Sequence, residues 1–310
     1  MRFTKFCMRA RIQSRLGIPT SVMAIMACFA SNSVITRYLV LGNHVSPFAL
    51  TVIRFGSGLI MLHVLSSSMP GKFQRAGLTR SHVLGAVFLG VYAFSISYGY
   101  AFISAAAGVL IFYTFVVFTM TLYSAINDRE RLTIRLIVGQ LLGIMGVLVI
   151  TASGIRSVTS IGAFLMASTG VSWGLYSVYG RRFENPFGYT YNSFLIFVMV
   201  AFALLLVAYP FLGRHLWMDV SVRSLGLELY LGMISTALSY ALWNRLMNRI
   251  SASQGGIAQL LVPILTALMG ILLLGEEVTS SLVLGGILIM LGISLNTLPA
   301  HLLSRSSFKR

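Results

Sequence analysis

Ten apolar runs, most of them close to 20 residues long, follow one another from Gly17 to about Pro299 with short polar gaps between them. A run of that length crosses a bilayer as a helix, because its backbone hydrogen bonds close within the segment and its side chains suit hydrocarbon. The spans are read over 17–41, 47–65, 82–101, 105–126, 134–152, 160–179, 191–211, 225–246, 253–274 and 280–299. Chain breakers support these limits: Gly42-Asn43, Pro70-Gly71, Asn127-Asp128, Asn185-Pro186, Gly213 and Gly275 all fall between runs. With 57% hydrophobic and 10% charged residues, the chain has too few charges to cover a water-facing surface. The sequence predicts an all-α integral membrane protein with ten transmembrane helices.

The 23 Lys and Arg residues collect in alternate gaps. With the N-terminus placed in the cytoplasm, eighteen of them fall on the inside and three, Arg156, Arg214 and Arg223, on the outside; Arg37 and Arg54 lie within spans. Positive charge retained in short cytoplasmic loops orients membrane helices, so both termini are expected in the cytoplasm, in a multi-pass protein of the inner (plasma) membrane. The same rule accounts for the +16 net charge without any nucleic-acid partner. Arg2, Lys5, Arg9, Arg11 and Arg15 precede the first run as in a signal peptide, but the run to Leu41 exceeds a signal-peptide core and reads as an uncleaved signal-anchor.

Short gaps leave no room for an extramembrane domain, which argues against a receptor with a signalling module, a tethered enzyme domain or an ATP-driven pump. No G-x-x-x-x-G-K-[ST] phosphate loop occurs. Cys7 and Cys28 have neither disulfide-framework nor metal-ligand spacing. No cofactor and no metal are expected; the partners expected are the lipid bilayer and a small-molecule substrate, and the chain is compatible with a monomer or a homodimer.

The two halves of the chain resemble each other. Ile103-Ser-Ala-Ala-Ala-Gly108 answers Ile250-Ser-Ala-Ser-Gln-Gly255, and Glu130-Arg-Leu-Thr133 answers Glu276-Glu-Val-Thr279. Each Glu segment precedes a glycine-rich span, with Gly139 and Gly146 in one and Gly285 and Gly292 in the other. Small residues of this kind let helices approach closely. Five spans per half is an odd number, so the second half enters the membrane the other way up. The expected organisation is a cytoplasmic basic N-terminus (1–16), a first repeat (17–152), a second repeat (160–299) and a cytoplasmic tail (300–310). Inverted repeats of this type characterise secondary transporters, in which a central cavity opens alternately to either side.

At these positions the chain resembles the EamA family of the drug/metabolite transporter superfamily, over about residues 20–298. Phe29-Ala-Ser-Asn32 stands where the family has Trp-Gly-Ser-Asn, and Pro47-Phe-x-Leu-x-x-Ile-Arg54 is similar to its second-helix pattern. Glu130-Arg-Leu-Thr133 is similar to the family's Gly-Glu-x-Leu-Thr loop, with Arg129 in place of glycine. In the second half Ser172-Trp-Gly-Leu-Tyr176, Ser235 to Trp243, and Leu261-Val-Pro-Ile-Leu265 resemble helices six, eight and nine. Val117 stands at the first-half equivalent of Pro263, and Val262 stands where many relatives carry Glu. The resemblance implies transport of a small metabolite, often export of amino acids or related compounds.

Arg54 is the leading candidate site residue, since an arginine well inside a span must be paired or hydrated. It is read either as the partner of a substrate carboxylate, through its bidentate fork, or as a tie to neighbouring helices. Arg37 is closer to the outer surface, where it can snorkel. Asn32, Tyr98, Tyr113, Thr114 and Gln140 are further pathway candidates, as are Trp173, Tyr176, Tyr240 and Gln259, because polar groups in lipid must face a partner or a wet cavity. Trp243 and Asn244 read as interfacial, and His63 and His82 as anchors near cytoplasmic ends. Pro263 is the candidate gate or kink. With Glu228 near an outer end and the other six acids in or beside loops, no central carboxylate offers itself for proton coupling. The competing classes are a membrane-embedded lipid-modifying enzyme, which needs a catalytic cluster that these scattered residues do not suggest, and a non-transporting scaffold.

Overall fold

The computed structural model describes residues 2–41, 45–68, 77–103, 105–152, 159–213, 222–274 and 279–297, and among these it is almost wholly helical. The helices are α1 (Arg2–Leu41), α2 (Pro47–Ser68), α3 (Arg80–Phe102), α4 (Ala105–Asn127), α5 (Ile134–Thr151), α6 (Ser160–Gly180) and α7 (Pro186–Leu212). They continue with α8 (Val222–Tyr230), a π-helical segment (Leu231–Leu238), α9 (Ser239–Met247), α10 (Ala252–Ala258), α11 (Leu261–Leu274) and α12 (Ser280–Thr297). Among the described residues nine helices are long and apolar enough to cross a membrane, and Ser280–Asn296 forms a shorter apolar tenth. Leu141, Phe164 and Val207 are typical of the exposed apolar side chains that cover the outside of the bundle. Such a surface suits lipid.

Local chemistry sets the helix starts. Thr133 accepts a hydrogen bond from the Leu136 N–H and Thr159 from the Gly162 N–H, each closing an N-cap. The Thr279 hydroxyl accepts from the Leu282 N–H, so the Thr of both Glu-x-x-Thr segments starts the following glycine-rich helix. Asn185 accepts from the Gly188 N–H with Pro186 at the first helical position. That cap starts α7 five residues before the expected limit of 191.

The eighth and ninth spans depart from plain α-helices. Between α8 and α9 the chain widens into the π-helical turn, a feature often found at functional sites. The ninth span is broken: α10 ends at Ala258, Gln259 and Leu260 form a turn, and Pro263 lies in the first turn of α11. Pro263 has no N–H to give the Gln259 carbonyl, which accepts instead from the Val262 N–H at 3.0 Å. The break expected at Pro263 therefore falls just ahead of it.

The packing has a pseudo-twofold pattern. Taking spans one to five as equivalent to six to ten, α2 with α7, α4 with α10 and α5 with α12 are self-related pairs. The α3–α6 contact is answered by α1 against the π segment and α9, and α3–α7 by α2 against the π segment. At the α5–α12 contact, a Cβ on Gly146 would come within 2.6 Å of the Gly285 carbonyl oxygen, and one on Gly139 within 2.8 Å of the Gly292 oxygen. Since Gly139 is equivalent to Gly285 and Gly146 to Gly292, these two contacts interchange under the pseudo-twofold. That is the signature of inverted, antiparallel repeats.

A side chain at Gly285 must displace backbone, as its Cβ would sit 2.5 Å from the Gly146 oxygen, whereas at Gly286 nothing lies within 4 Å. Gly285→Val is expected to destabilise the protein by about 1–3 kcal/mol or more, and Gly286→Ala to leave it unchanged or slightly stabilised. Thermal unfolding of the two variants in detergent checks this.

Candidate functional site

The inward face of α2 carries Arg54, which is 1% exposed. Its Nε donates to the Thr236 hydroxyl at 2.7 Å, and Nη2 donates to the hydroxyls of Tyr240 at 3.0 Å and Tyr92 at 3.3 Å. The guanidinium also lies 5.3 Å from the Phe55 ring centroid and 5.8 Å from that of Tyr92. No carboxylate is among its partners; among the described residues the ion pair formed is Arg181 with Asp128, elsewhere in the bundle. A charge held this way keeps its full sign, and Nη1 is left out of the bonds that hold it.

The π segment makes this arrangement possible. Gly232 lies against the Arg54 backbone, where a Cβ would overlap the Arg54 carbonyl, so the eighth span approaches α2 closely enough for Thr236 to reach the guanidinium. The Asn32 amide also donates to Thr236, at 3.4 Å, and accepts from Thr36 at 3.2 Å, which ties the first span to the same point.

Beside Arg54 lies a small cavity lined by Phe29, Asn32, Ser33, Tyr92 and Ile96, and by Phe112, Tyr113, Trp173, Tyr240 and Gln259. Its volume of about 20 Å³ has room for about one water. The Trp173 and Tyr240 ring centroids are 4.5 Å apart, Tyr92 is 5.3 Å from Trp173, and Phe29 stands edge-on to Trp173 at 5.5 Å. The Trp173 indole N–H donates to the Gln259 side-chain oxygen at 2.5 Å, placing the turn of the broken ninth span at the cavity wall. Tyr176 stacks behind Trp173 at 5.7 Å.

Of the residues expected along a pathway, Asn32, Tyr113, Trp173, Tyr240 and Gln259 meet at this cavity, Arg54 adjoins it, and Tyr176 supports it. Three do not. Tyr98 is 40% exposed on the outside of the bundle. Thr114 and Gln140 line a lateral groove between α4 and α5 with Phe118 and Leu141, and Gln140 spends its amide on Thr121. The Gln140 amide is satisfied locally, so nothing draws it to the centre.

Trp243 and Asn244, expected at the interface, are both fully buried. Trp243 donates to Ser177 at 2.9 Å, and Asn244 to Thr190 at 2.9 Å and Tyr176 at 3.2 Å. His82 is buried too, its Nδ1 accepting from the Thr79 N–H as part of a capping box at the start of α3, while His63 meets the Tyr191 hydroxyl. The side chain of Arg37 lies outside the described residues.

Sequence reasoning missed Tyr92 and Thr236. Both were findable from helical spacing: Tyr92 continues the inward face Gly85-Leu89-Tyr92-Ile96, and Thr236 lies one turn before Tyr240. Glu228, expected near an outer end of its span, is fully buried.

At the end of the bundle rich in Arg, the loop after α4 is latched to the second half. The Glu130 carboxylate accepts from Ser253 at 2.7 Å, from Ser251 at 3.4 Å and from Ser124. Arg181 pairs with Asp128 and Arg182 donates to Asn127 at 3.3 Å, joining the end of α6 to the end of α4.

A ten-span helical bundle of two inverted halves, meeting at a buried cation and an aromatic cavity, defines a membrane protein of the transporter class. The sequence pattern of the EamA-like transporter family matches residues 18–152 and again 160–298, and the chain belongs to that family. It is 34% identical to an uncharacterized protein of Pseudomonas aeruginosa over 277 residues, covering 87% of this chain and 93% of that one. An uncharacterized transporter of Archaeoglobus fulgidus is 30% identical over 80% of this chain and 87% of its own. A Salmonella typhimurium protein named a probable amino-acid metabolite efflux pump is 26% identical over 58% of this chain and 62% of its own. A solved crystal structure matches with a TM-score of 0.74 at 20% identity, covering 94% of this chain and 99% of that one, and shows the same fold.

The hydroxyl of Thr236 carries a charged hydrogen bond inside the bundle. Thr236→Val leaves the Arg54 Nε–H without its acceptor and is expected to destabilise by about 1–3 kcal/mol, while Thr236→Ser retains near-normal stability. Paired thermal unfolding curves of the two variants decide it.

Proposed function

We propose that this protein is a secondary transporter or facilitator of small polar metabolites, with amino acids and related carboxylate-bearing compounds as its substrates. The single observation that carries this reading is Arg54: a buried guanidinium between the repeats, held by three hydroxyls, with no carboxylate among those partners. A planar fork held in this way suits a substrate carboxylate. The aromatic wall of Trp173, Tyr240 and Phe29 suits the apolar part of such a molecule, and Gln259 and Asn32 suit its amine. The name of the Salmonella relative agrees with this class of substrate.

A cavity of about 20 Å³ cannot hold an amino acid, so substrate binding requires it to widen. Transport then proceeds by alternating access: the two repeats exchange packing states and open the cavity first to one side and then to the other. The Arg-rich end faces the cytoplasm by the positive-inside rule, with both termini on that side and the protein in the inner membrane. Closure of that end rests on the Glu130 latch, and the broken ninth span supplies a hinge, with Pro263 keeping its two helices separate. The name of the Salmonella relative, an efflux pump, supports outward transport.

Uptake and counterflow of labelled amino acids in proteoliposomes test the reading, and failure of every amino acid to move through folded protein would sink it. Arg54→Lys, which keeps the charge but loses the fork, is expected to reduce transport of carboxylate-bearing substrates at least tenfold, or about 1.4 kcal/mol, with folded protein still recovered. Glu130→Ala is expected to open the basic end, raising the labelling rate of a cysteine placed at the buried Ala252, beside the latch but not part of it, by a water-soluble thiol reagent applied from the cytoplasmic side; an unchanged rate removes the latch from the mechanism.

A further inference from the structure

Glu228 occupies the inward face of α8. Leu225 and Leu229 on the same helix are exposed, whereas Ser224, Glu228 and Leu231 are buried, so the carboxylate takes a position that the helical spacing assigns to the core. It lies four residues inside the span that begins at Ser224, about 6 Å along the helix axis. Glu228 is 0% exposed, and neither carboxylate oxygen has a hydrogen-bond partner. Among the residues whose burial is described it is the only buried acid and Arg54 the only buried Lys or Arg.

None of the described side chains around α8 neutralises it. The helix packs against α2, whose ionisable groups are Arg54 and His63, and against the π segment, which carries none. Arg54 is committed to Thr236, Tyr92 and Tyr240, and His63 to Tyr191. On α8 itself Tyr230 faces Ser31 of α1, and Tyr38 of α1 is exposed; α8 also carries Arg223, whose side chain, like that of Arg37, lies outside the described residues. An ionised carboxylate buried without a partner costs several kcal/mol, which favours the protonated form of Glu228 in this conformation.

We propose that Glu228 is a proton-binding site of the transport cycle, neutral and buried while the bundle is closed, and deprotonated when movement of the eighth span turns it towards water. The balance is simple: the carboxylic O–H breaks, the proton passes to water on the open side, and the carboxylate is then hydrated. Because the closed and open states differ in proton affinity, a pH difference biases their exchange, and proton movement is thereby linked to the conformational cycle. The site differs from the substrate cavity, whose lining does not include Glu228. The linkage to transport rests on the transporter reading above; the protonation of Glu228 does not.

Two experiments on the full-length chain in proteoliposomes separate the claims. Infrared spectra of wild type and Glu228→Gln at neutral pH should differ by the carbonyl stretch of one protonated carboxylic acid, present in wild type and absent in the variant. Absence of that band from wild type, as an ion pair with Arg37 would produce, overturns the proposal. In counterflow and pH-gradient assays with labelled amino acids, Glu228→Gln should exchange solute without a gradient but lose gradient-driven accumulation to the level of protein-free vesicles, while Glu228→Asp keeps part of it. Full gradient-driven accumulation by Glu228→Gln overturns the coupling. If no solute moves through wild type, the transporter reading and the coupling fall together, and the infrared band still decides the proton site. Thermal unfolding shows whether each variant is folded, and Glu228→Asp keeps the test decisive where Glu228→Gln is not.

Discussion

The bundle is organised around one desolvated charge. Burying a guanidinium in a membrane interior is tolerated only when its N–H groups find acceptors, and Arg54 finds them on three different helices: Tyr92 on α3, Thr236 on the π segment and Tyr240 on α9. Those bonds draw the second, third and eighth spans to a common point. They also explain local features that otherwise look unrelated. Gly232 has no side chain because the Arg54 backbone occupies that space, and the widened turn of the eighth span brings Thr236 round to the guanidinium.

Around that centre, hydroxyl and amide groups do the work that ion pairs do in soluble proteins. Asn32, Ser177, Asn244 and Gln259 each bond to a side chain on another helix. Neutral partners satisfy polar groups without adding a second charge to desolvate, which suits a structure whose halves must repack during a transport cycle. At the Arg-rich end the chemistry changes to Glu130, Asp128 and Arg181, where water is near and charged groups are cheaper to hold.

Helix existence was legible in the sequence almost throughout, because an apolar run long enough to span lipid has no other way to satisfy its backbone. Thr133 and Thr279 were legible as a repeated motif before their role as caps was known. The inward residues were legible only in part. Asn32, Trp173 and Tyr240 lie at the cavity, but Tyr98 does not, because one turn of a helix in lipid presents apolar and aromatic groups on every face. Composition at a position does not say which face it occupies. Glu228 shows the same limit from the other side: nearness to the end of a span is a statement about depth, and burial is a statement about neighbours.

The amino-acid sequence by itself determined that the chain is a set of apolar helices in two similar halves, and it set their order and relative orientation, since span length, charge placement and repeat phase are one-dimensional properties. Tertiary structure alone decided which side chains meet. That the Arg54 guanidinium rests on Thr236, Tyr92 and Tyr240, and that Glu228 is enclosed without a partner, depends on helix rotation and on the π-helical and broken turns of spans eight and nine. Those rotations follow from close packing between helices far apart in the chain, which no local pattern records.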